Sequence, residues 1–470
     1  MSLFDRQALN EGVRGREVFG WAAYDFANSG YTTVVLTAVF NAYFVGVIAG
    51  NASWATLAWT AALSLSNLIV MLTMPAIGAY ADARRCKRRL LAWSTVGCVL
   101  ATAALAVTGP GTLLIAVAAI VVSNYCYAMG ETLIAAFLPE LARARAIGRV
   151  SGWGWAFGYF GGMLTLGLCL AYVLSAQSAG RPATTFVPVA MLITAGVFAI
   201  ASVPTFALLR ERGSAAARAP TVAAAGTVGG EVPGTDAFGT QASGASVSGP
   251  SASATPQATA RRRANTWTRW ARAFHESRRF VDFRRLLVCG VCYQAGISVV
   301  ITLAAVYADQ VMHFTAVQTM ALIFTVNIAA AAGAFGFGYV EDRIGHRRAL
   351  QWTLLAWIGM VLIAGLGRDA VAFWIAATIA GLCMGSSQSC GRAIVAVLAP
   401  PARIAEFYGL WALAVRLASI VGPLTYGLVT WVTGGDHRTA ILSTGLFFVL
   451  GLVALARIDL ARGERAAQAV

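Results

Sequence analysis

The sequence predicts an all-helical integral membrane protein with twelve transmembrane helices in two pseudo-symmetric six-helix bundles. Composition, apolar runs of helix length and motifs repeated half a chain apart predict this fold. Of the 470 residues, 58% are hydrophobic and only 12% are charged, whereas soluble domains carry roughly 25% charge. Such a chain cannot cover its surface with polar groups. In lipid, only helices and closed barrels satisfy their own backbone hydrogen bonds.

The individual helices follow from apolar runs of about 20 residues that are bounded by charge or turn residues. The first run is longer than the roughly 7–15 residues of a signal-peptide core, so we expect it to be retained as a helix. The predicted spans are 18–48, 56–80, 90–108, 112–138, 150–176, 185–209, 286–308, 318–340, 350–367, 371–396, 405–431 and 440–457.

Arginine and lysine predict the orientation. The predicted segments on the side of both termini hold 30 of these residues, whereas the opposite loops hold three. Cytoplasmic loops are enriched in Lys and Arg, so both termini should be cytoplasmic. The net charge of +15 then faces anionic lipid rather than nucleic acid. The basic residues on the opposite side are Arg181, Arg368 and Arg438.

The eight cysteines predict neither a disulfide framework nor a metal site. All of them lie in predicted spans or on the cytoplasmic side, where disulfides are rare. Cys289 and Cys292 have the spacing of a redox or metal motif, but no histidine lies near them. We therefore expect no cofactor and no metal. No catalytic constellation and no phosphate-binding loop occurs, so we expect no enzyme. An arginine-rich chain without an outer cysteine framework favours a bacterial inner membrane.

The two halves are joined by a long cytoplasmic segment, and each end of the chain has a short one. Residues 1–17 and 458–470 are the predicted terminal segments. Residues 210–265 are rich in Ala, Gly, Ser, Thr and Pro without periodicity, which predicts a disordered linker. In 266–285, Trp267, Trp270, Ala271 and Phe274 alternate with arginines. This pattern predicts a basic amphipathic helix on the membrane surface, the alternative being a basic stretch with scattered aromatic residues.

One motif occurs after the second span and again after the eighth. Each copy reads Gly-x-x-x-Asp followed by a basic cluster, and the two aspartates lie 260 residues apart. An aspartate there can accept bonds from the start of a neighbouring helix, and arginines can bridge to carboxylates or lipid phosphates. We expect a gate that forms in one conformation and separates in another; alternatively, the arginines set topology alone. The predicted gating residues are Gly78, Asp82, Arg84, Gly338, Asp342, Arg343, Gly345 and Arg347.

This architecture resembles the major facilitator superfamily over essentially the whole chain. The second motif copy fits that family well, whereas the first has Ala83 and Arg85 where Arg and Gly are usual. The segments Trp21–Ser29 and Ala136–Leu141 are similar to the autophagy-related vacuolar amino-acid effluxers and their bacterial relatives. The resemblance implies secondary transport of a small polar solute. It also implies a central cavity lined by helices 1, 4, 7 and 10.

Each of those four helices has a polar stripe at helical spacing. An ionised carboxylate at the centre of a bilayer costs roughly 2.5–3.5 kcal/mol, so such residues usually face an interior. Arg416 adds a charge in the eleventh span. The candidate substrate or proton pathway therefore comprises Asp25, Asn28, Ser29, Thr32, Asn124, Tyr127, Glu131, Tyr293, Gln294, Gln388, Arg392 and Arg416.

Three of these residues should meet in the cytoplasmic half of the cavity. Asp25, Glu131 and Arg392 each lie roughly 10–12 Å from the cytoplasmic end of their helix. We expect one carboxylate to pair with Arg392 when the inner side is closed and the other to carry a proton. Arg416 would hold a substrate carboxylate or a buried acid. The alternative is a static arrangement in which Arg392 and Glu131 extend to the interface.

The sequence is therefore interpreted as a secondary transporter that works by alternating access. The resemblance implies amino-acid efflux, and proton coupling is a hypothesis that rests on Asp25 and Glu131. The alternatives are an uncoupled facilitator or drug exporter of the same fold and a non-transporting membrane receptor or scaffold. The expected partners are a small-molecule substrate, the lipid bilayer and protons. The chain is expected to act as a monomer.

Overall fold

The computed structural model describes residues 6–50, 52, 55–212, 280–310, 312, 316–434 and 436–469. These residues are helical apart from turns and one isolated bridge between Leu9 and Ala142. Twelve helices in them are long and apolar enough to cross a membrane, which confirms the predicted fold class. Residues 213–279, which include most of the predicted linker and most of the predicted interfacial helix, lie outside the described residues.

The first half contains six membrane-spanning helices, and the second half contains six more and a short terminal helix. The first six are α1 Gly15–Ile48, α2 Ala55–Arg84, α3 Lys87–Ala104, α4 Leu113–Ala135, α5 Ile147–Ser178 and α6 Ala183–Leu208. The second set is α7 Val281–Gln310, α8 Ala316–Ile344, α9 His346–Leu366, α10 Ala370–Leu398, α11 Ile404–Val432, α12 His437–Ala456 and α13 Leu460–Gln468.

The first span is not one regular α-helix, which the apolar pattern did not predict. Gly15–Tyr31 is α-helical, and two π-helical stretches follow at Thr32–Ala38 and Phe44–Ile48. The Thr33 hydroxyl donates to the Ser29 carbonyl oxygen at 2.8 Å. Such bonds compete with the regular ladder, and π-helical turns are often found at functional sites. The irregular part of α1 therefore starts one turn after Asn28.

Close contacts hold α1 against three helices of its own half. The Trp21 indole donates to the Ile134 carbonyl oxygen of α4 at 2.8 Å, and the Thr205 hydroxyl of α6 donates to the Gly20 oxygen at 2.7 Å. On α5, a Cβ built at Gly158 would lie 3.2 Å from the Asp25 carbonyl oxygen. These contacts fix the rotation of α1 and therefore the direction of its polar stripe.

Each half is tied together by an acid at the start of its first helix and an arginine after its last helix. In the first half, Glu17 pairs with Arg212 at 2.7 Å; in the second, Asp282 pairs with Arg462 at 2.7 Å. We call these pairs the two clasps. Arg462 belongs to α13, which lies in the predicted terminal segment, and Asp282 lies in α7, which begins five residues before the predicted span.

The two halves meet mainly through α2 with α11 and through α5 with α8. Small residues allow this close approach: a Cβ at Gly338 would lie 2.9 Å from the Gly148 carbonyl oxygen, and one at Gly409 would lie 2.8 Å from that of Met74. These contacts lie toward the ends of the helices where α1 starts and where α6 and α12 end. We call this end the termini side. The halves are closed against each other there.

Candidate functional site

An ion pair between α1 and α10 joins the two halves inside the closed region. The Arg392 Nη1 and Nη2 atoms lie 2.6 and 3.1 Å from the Asp25 Oδ2 and Oδ1 atoms. Both side chains are only 6% exposed. A pair with two parallel bonds has a defined geometry as well as charge complementarity. It can form only while the two halves are in contact at this level.

Two tryptophans enclose the Arg392 guanidinium. Its central carbon lies 5.3 Å from the ring centre of Trp21 and 4.9 Å from that of Trp155. Behind it, the Tyr408 hydroxyl donates to the Arg392 carbonyl oxygen at 2.8 Å. A cation over an aromatic face is stabilised most when it is shielded from water. Asp25 and both rings together therefore compensate for the burial of this charge.

A second ion pair between the halves joins α4 to α11. The Arg416 Nη2 atom lies 2.8 Å from the Glu131 Oε2 atom, and the guanidinium lies 5.8 Å from the Tyr127 ring centre. The Glu131 side chain is 32% exposed and that of Arg416 is 14% exposed. Arg416 lies roughly 18 Å along α11 from its first residue, whereas Arg392 lies roughly 9 Å from the last residue of α10. Arg416 therefore starts deeper in the membrane than Arg392, and its pair with Glu131 is less enclosed.

Asn28 lies one turn beyond Asp25 and is 5% exposed. Neither its side-chain oxygen nor its side-chain nitrogen has a hydrogen-bond partner among the described residues, and the same holds for the indole nitrogen of Trp155. A buried polar atom without a partner is costly, and native proteins rarely tolerate one without a functional reason. These atoms are available to a bound ligand.

Other residues predicted for the pathway serve mainly as packing contacts. The Asn124 amide donates to the Ser66 hydroxyl at 3.0 Å, so it holds α4 against α2. The Thr32 hydroxyl bonds to the Ser29 carbonyl oxygen in its own helix at 3.1 Å. Tyr293 is fully buried. The side chains of Gln294 and Gln388 bond to each other at 3.0 Å between α7 and α10.

The two acids of the predicted meeting have different partners, and one of these partners is Arg416, which was expected to hold a substrate carboxylate or a buried acid. Arg392 pairs with Asp25, but Glu131 pairs with Arg416 of α11. The two acids therefore have separate cationic partners, because α11 lies beside α4 as well as beside α2. Sequence reasoning also missed the tryptophans. Trp21 precedes Asp25 by four residues and thus shares its helix face, which is the signal that could have identified it.

The aspartate of the first gating motif contacts the start of α11 across the two halves. The Asp82 Oδ2 atom accepts from the Glu406 backbone nitrogen at 3.0 Å. Lys87 lies 3.8 Å from Asp82 and 2.6 Å from Glu140. The motif aspartate therefore binds a helix start, as predicted from the dipole argument.

The aspartate of the second copy makes the symmetry-related contact with the start of α5. The Asp342 carboxylate accepts from the Arg149 backbone nitrogen at 3.3 Å and from its Nε at 3.2 Å. The neighbouring Glu341 is fully buried, and one of its oxygens lies 2.7 Å from the His346 Nδ1 atom. Both copies thus join the first half to the second on the termini side.

In the part of the chain that the structure describes, the predicted gating arginines form no ion pair with these two aspartates. Arg84 lies over the Tyr80 ring at 5.9 Å, Arg343 is exposed, and Arg347 donates to the Ala456 carbonyl oxygen at 2.7 Å. The cations beside the two aspartates are instead Lys87 and Arg149. The motif glycines allow close approach or turns: Gly78 lies against Ala405, Gly338 lies against Gly148, and Gly345 starts α9 with φ of +87°.

No cluster of three or more His, Cys, Asp or Glu side chains suited to a metal occurs in the part of the chain that the structure describes. The eight cysteines are free thiols. The chemistry of the central region consists of two ion pairs, aromatic rings and the Asn28 amide. The chemical groups of such a set are able to form hydrogen bonds and ion pairs with charged or polar groups.

Known proteins of the same fold and family match this chain. The family described as "Vacuole effluxer Atg22 like" matches residues 42–468. An uncharacterized MFS-type transporter of Bacillus subtilis, YxiO, is 23% identical over 93% of both chains. Autophagy-related protein 22 of Cryptococcus neoformans is 28% identical over 35% of this chain and 31% of its own length.

Solved structures show the same fold. The human organic anion transporter MFSD10 matches with a TM-score of 0.67 and 17% identity over 94% of this chain and 99% of its own. The proton:xylose symporter XylE matches with a TM-score of 0.62 over 93% of each chain. These matches confirm the resemblance drawn from the motifs. The chain therefore belongs to the vacuole effluxer Atg22-like family, and its relatives and fold are those of major facilitator superfamily transporters, not enzymes.

Proposed function

We propose that this protein is a secondary transporter that exports a small polar solute, an amino acid in the first instance, by alternating access. The observation that supports this most directly is the Asp25–Arg392 pair, which joins the two halves at a buried position. In a transporter of two rocking bundles, contacts between the halves form on one side while the path is open on the other. The described structure then corresponds to the state closed on the termini side.

Opening that side requires the contacts between the halves to separate. Asp25 and Arg392 would part, as would the contacts of Asp82 with α11 and of Asp342 with α5. A carboxylate left without its cation in a desolvated site is costly, and binding a proton removes that cost. We therefore propose that Asp25 takes up a proton when Arg392 leaves it, which would couple transport to a proton gradient.

The proposed solute class rests on the family and on the charges of the site. Relatives in the family bear the description of a vacuole effluxer, and the central region offers acids, arginines and an amide. An amino acid carries one charge of each sign, which matches this set. We place both termini and the gating motifs in the cytoplasm, and the protein in a bacterial inner membrane, on the distribution of arginine and lysine.

Counterflow in proteoliposomes tests the carrier function. Liposomes loaded with an unlabelled amino acid should accumulate the labelled one from outside, which a receptor or scaffold would not do. If solute transport is coupled to protons, an imposed pH gradient should also drive net solute flux. An uncoupled facilitator would show counterflow, but a pH gradient would drive no net flux through it. Absence of counterflow for the whole set of amino acids would contradict the proposal.

The variant Asp25→Asn tests proton coupling when its counterflow is measured beside its gradient-driven flux, because the substitution also removes the buried pair with Arg392. We expect it to abolish flux driven by the pH gradient, because an amide cannot take up the proton. The matched control is Asp369→Asn: Asp369 is exposed and accepts from the start of α10 at 2.6 Å, and asparagine also caps helices well. If gradient-driven flux survives in Asp25→Asn, the proton role of Asp25 is wrong.

A further inference from the structure

The two ion pairs between the halves differ in their access to solvent. The Asp25–Arg392 pair is enclosed, whereas a third of the Glu131 side chain is exposed. The Arg416 backbone also lies further along its helix from the closed termini side than the Arg392 backbone does. A solute that exchanges with the opposite side in this state would therefore contact the Glu131–Arg416 pair rather than the enclosed one.

Arg416 does not use all of its hydrogen-bonding capacity in this pair. Arg416 bonds to Glu131 through Nη2, while its buried Nε atom has no partner among the described residues. A guanidinium offers five donors in a fork, so it can bind a second carboxylate without turning away. Arg416 is thus prepared to accept another anionic group.

Asn28 supplies a side-chain amide that has no hydrogen-bond partner among the described residues. Its position on α1 follows from a nearby residue. Three residues further along, Tyr31 stacks on Tyr127 of α4 with ring centres 5.2 Å apart, and Arg416 lies over that same Tyr127 ring. Residues three apart lie on neighbouring positions of one helix face. Asn28 is therefore on the face of α1 that turns toward α4, between the level of Asp25 and that of Tyr31.

We propose that a zwitterionic solute binds by separating Glu131 from Arg416: its carboxylate takes the place of Glu131 on Arg416, its ammonium group takes the place of Arg416 on Glu131, and the Asn28 amide bonds to one of the two groups. This inference rests on the transporter function proposed above and adds the residues that select the solute. The Asp25–Arg392 pair is not opened by the solute and stays the contact that closes the termini side.

Charge balance selects the solute. Before binding, Glu131 and Arg416 neutralise each other, and a zwitterion replaces both interactions without adding net charge. A simple carboxylate would occupy Arg416 and leave Glu131 without a cation, and a simple amine would leave Arg416 without an anion. The group that loses its partner then loses a charge-assisted hydrogen bond without a replacement, which disfavours binding. The unaltered protein should therefore prefer a zwitterion to either of its singly charged analogues.

The test compares nine probes on the purified full-length protein. Alanine, leucine and phenylalanine are each measured beside the deaminated acid and the decarboxylated amine with the same side group. The dissociation constants come from the rise in thermal unfolding temperature over a concentration series, because a ligand that prefers the folded state stabilises it. In at least one of the three sets, the zwitterion should bind at least ten-fold more tightly than both analogues.

Two variants should change which probe binds most tightly: Glu131→Gln should favour the acid, and Arg416→Gln should favour the amine. In Glu131→Gln, Arg416 is a free cation, so the acid analogue should gain at least ten-fold and the zwitterion should lose a similar factor. In Arg416→Gln, the amine should gain instead. The double variant has no charge at the site and should show no preference by charge. It also provides a second test if either single variant folds poorly, because it leaves no unpaired charge.

Matched controls exist on α13, where Glu464 and Arg465 are away from the central region. Glu464→Gln and Arg465→Gln should leave all nine affinities unchanged. If the unaltered protein binds none of the probes, or if the site variants keep its ranking, the inference is overturned. Transport in the counterflow assay together with an unchanged ranking would refute this inference alone, whereas absence of counterflow would refute the proposed function.

Discussion

The Ser151 hydroxyl on α5 donates to the Ser389 backbone oxygen on α10 at 3.0 Å, and both residues are fully buried. Ser389 lies three residues before Arg392, so this contact is adjacent to the Asp25–Arg392 pair. It joins the two halves without any charged group. Ser151 is therefore a suitable position at which to report whether the termini side is closed.

Asp25→Asn should open the termini side. Removing one member of a buried ion pair destabilises the state that contains it by about 3–5 kcal/mol, which here is the closed state. In a background without the eight native cysteines, Ser151→Cys should react with a membrane-impermeant maleimide at least ten-fold faster when Asp25→Asn is present. The double variant Asp25→Asn/Arg392→Gln should react more slowly than Asp25→Asn, because it buries no lone charge. Equal rates in all three would show that the pair does not hold this side closed.

Gly338→Leu should prevent the close approach of α5 and α8. A Cβ at Gly338 would lie 2.9 Å from the Gly148 carbonyl oxygen, and backbone atoms cannot move aside as a flexible side chain can. We expect counterflow to fall at least ten-fold. Gly336→Leu is the matched control on the same helix, since a Cβ there meets nothing within 4 Å. Similar transport by the two variants would contradict the proposed closure.

Lys87→Met should destabilise the first half. Lys87 is the only lysine of the chain, and its Nζ atom is 2.6 Å from Glu140 and 3.8 Å from Asp82. Its removal leaves two buried acids without their cation, at an expected loss of about 3–5 kcal/mol. Lys87→Met/Glu140→Gln should recover part of this loss. Thermal unfolding in detergent measures the stability of the single and double variants. Strictly additive effects of the two substitutions would argue against a direct interaction between Lys87 and Glu140.

The two clasps should differ in strength although they are related by symmetry. Arg212 is 18% exposed and Arg462 is 52% exposed. In addition, Asp282 keeps Arg285 at 3.5 Å and the Asp459 backbone nitrogen at 3.0 Å when Arg462 is removed. Arg212→Ala should lower the free energy of unfolding by about 1–3 kcal/mol, and Arg462→Ala by less. Thermal unfolding measures the loss of stability in each variant, and a larger loss for Arg462→Ala would contradict this prediction.

Much of the architecture followed from the sequence because the lipid environment imposes it. Apolar runs of helix length can satisfy their backbone only as helices, so the number and approximate bounds of the spans were predictable. The π-helical stretches of α1 were not, since hydropathy does not distinguish an α-helical from a π-helical hydrogen-bond pattern. The start of α7 at Val281 was also missed, because charged residues in its first turns resembled a surface segment.

Within the candidate site, the sequence by itself determined which residues share a helix face, since a helix repeats every 3.6 residues. It placed Asp25 beside Asn28, and Tyr127 beside Glu131. Only the tertiary structure decided the partners: Arg392 with Asp25 at a separation of 367 residues, and Arg416 with Glu131 at 285. Helical spacing states nothing about how two helices are rotated against each other. That rotation is set by packing, such as Trp21 against α4 and Gly158 against α1, which no local pattern contains.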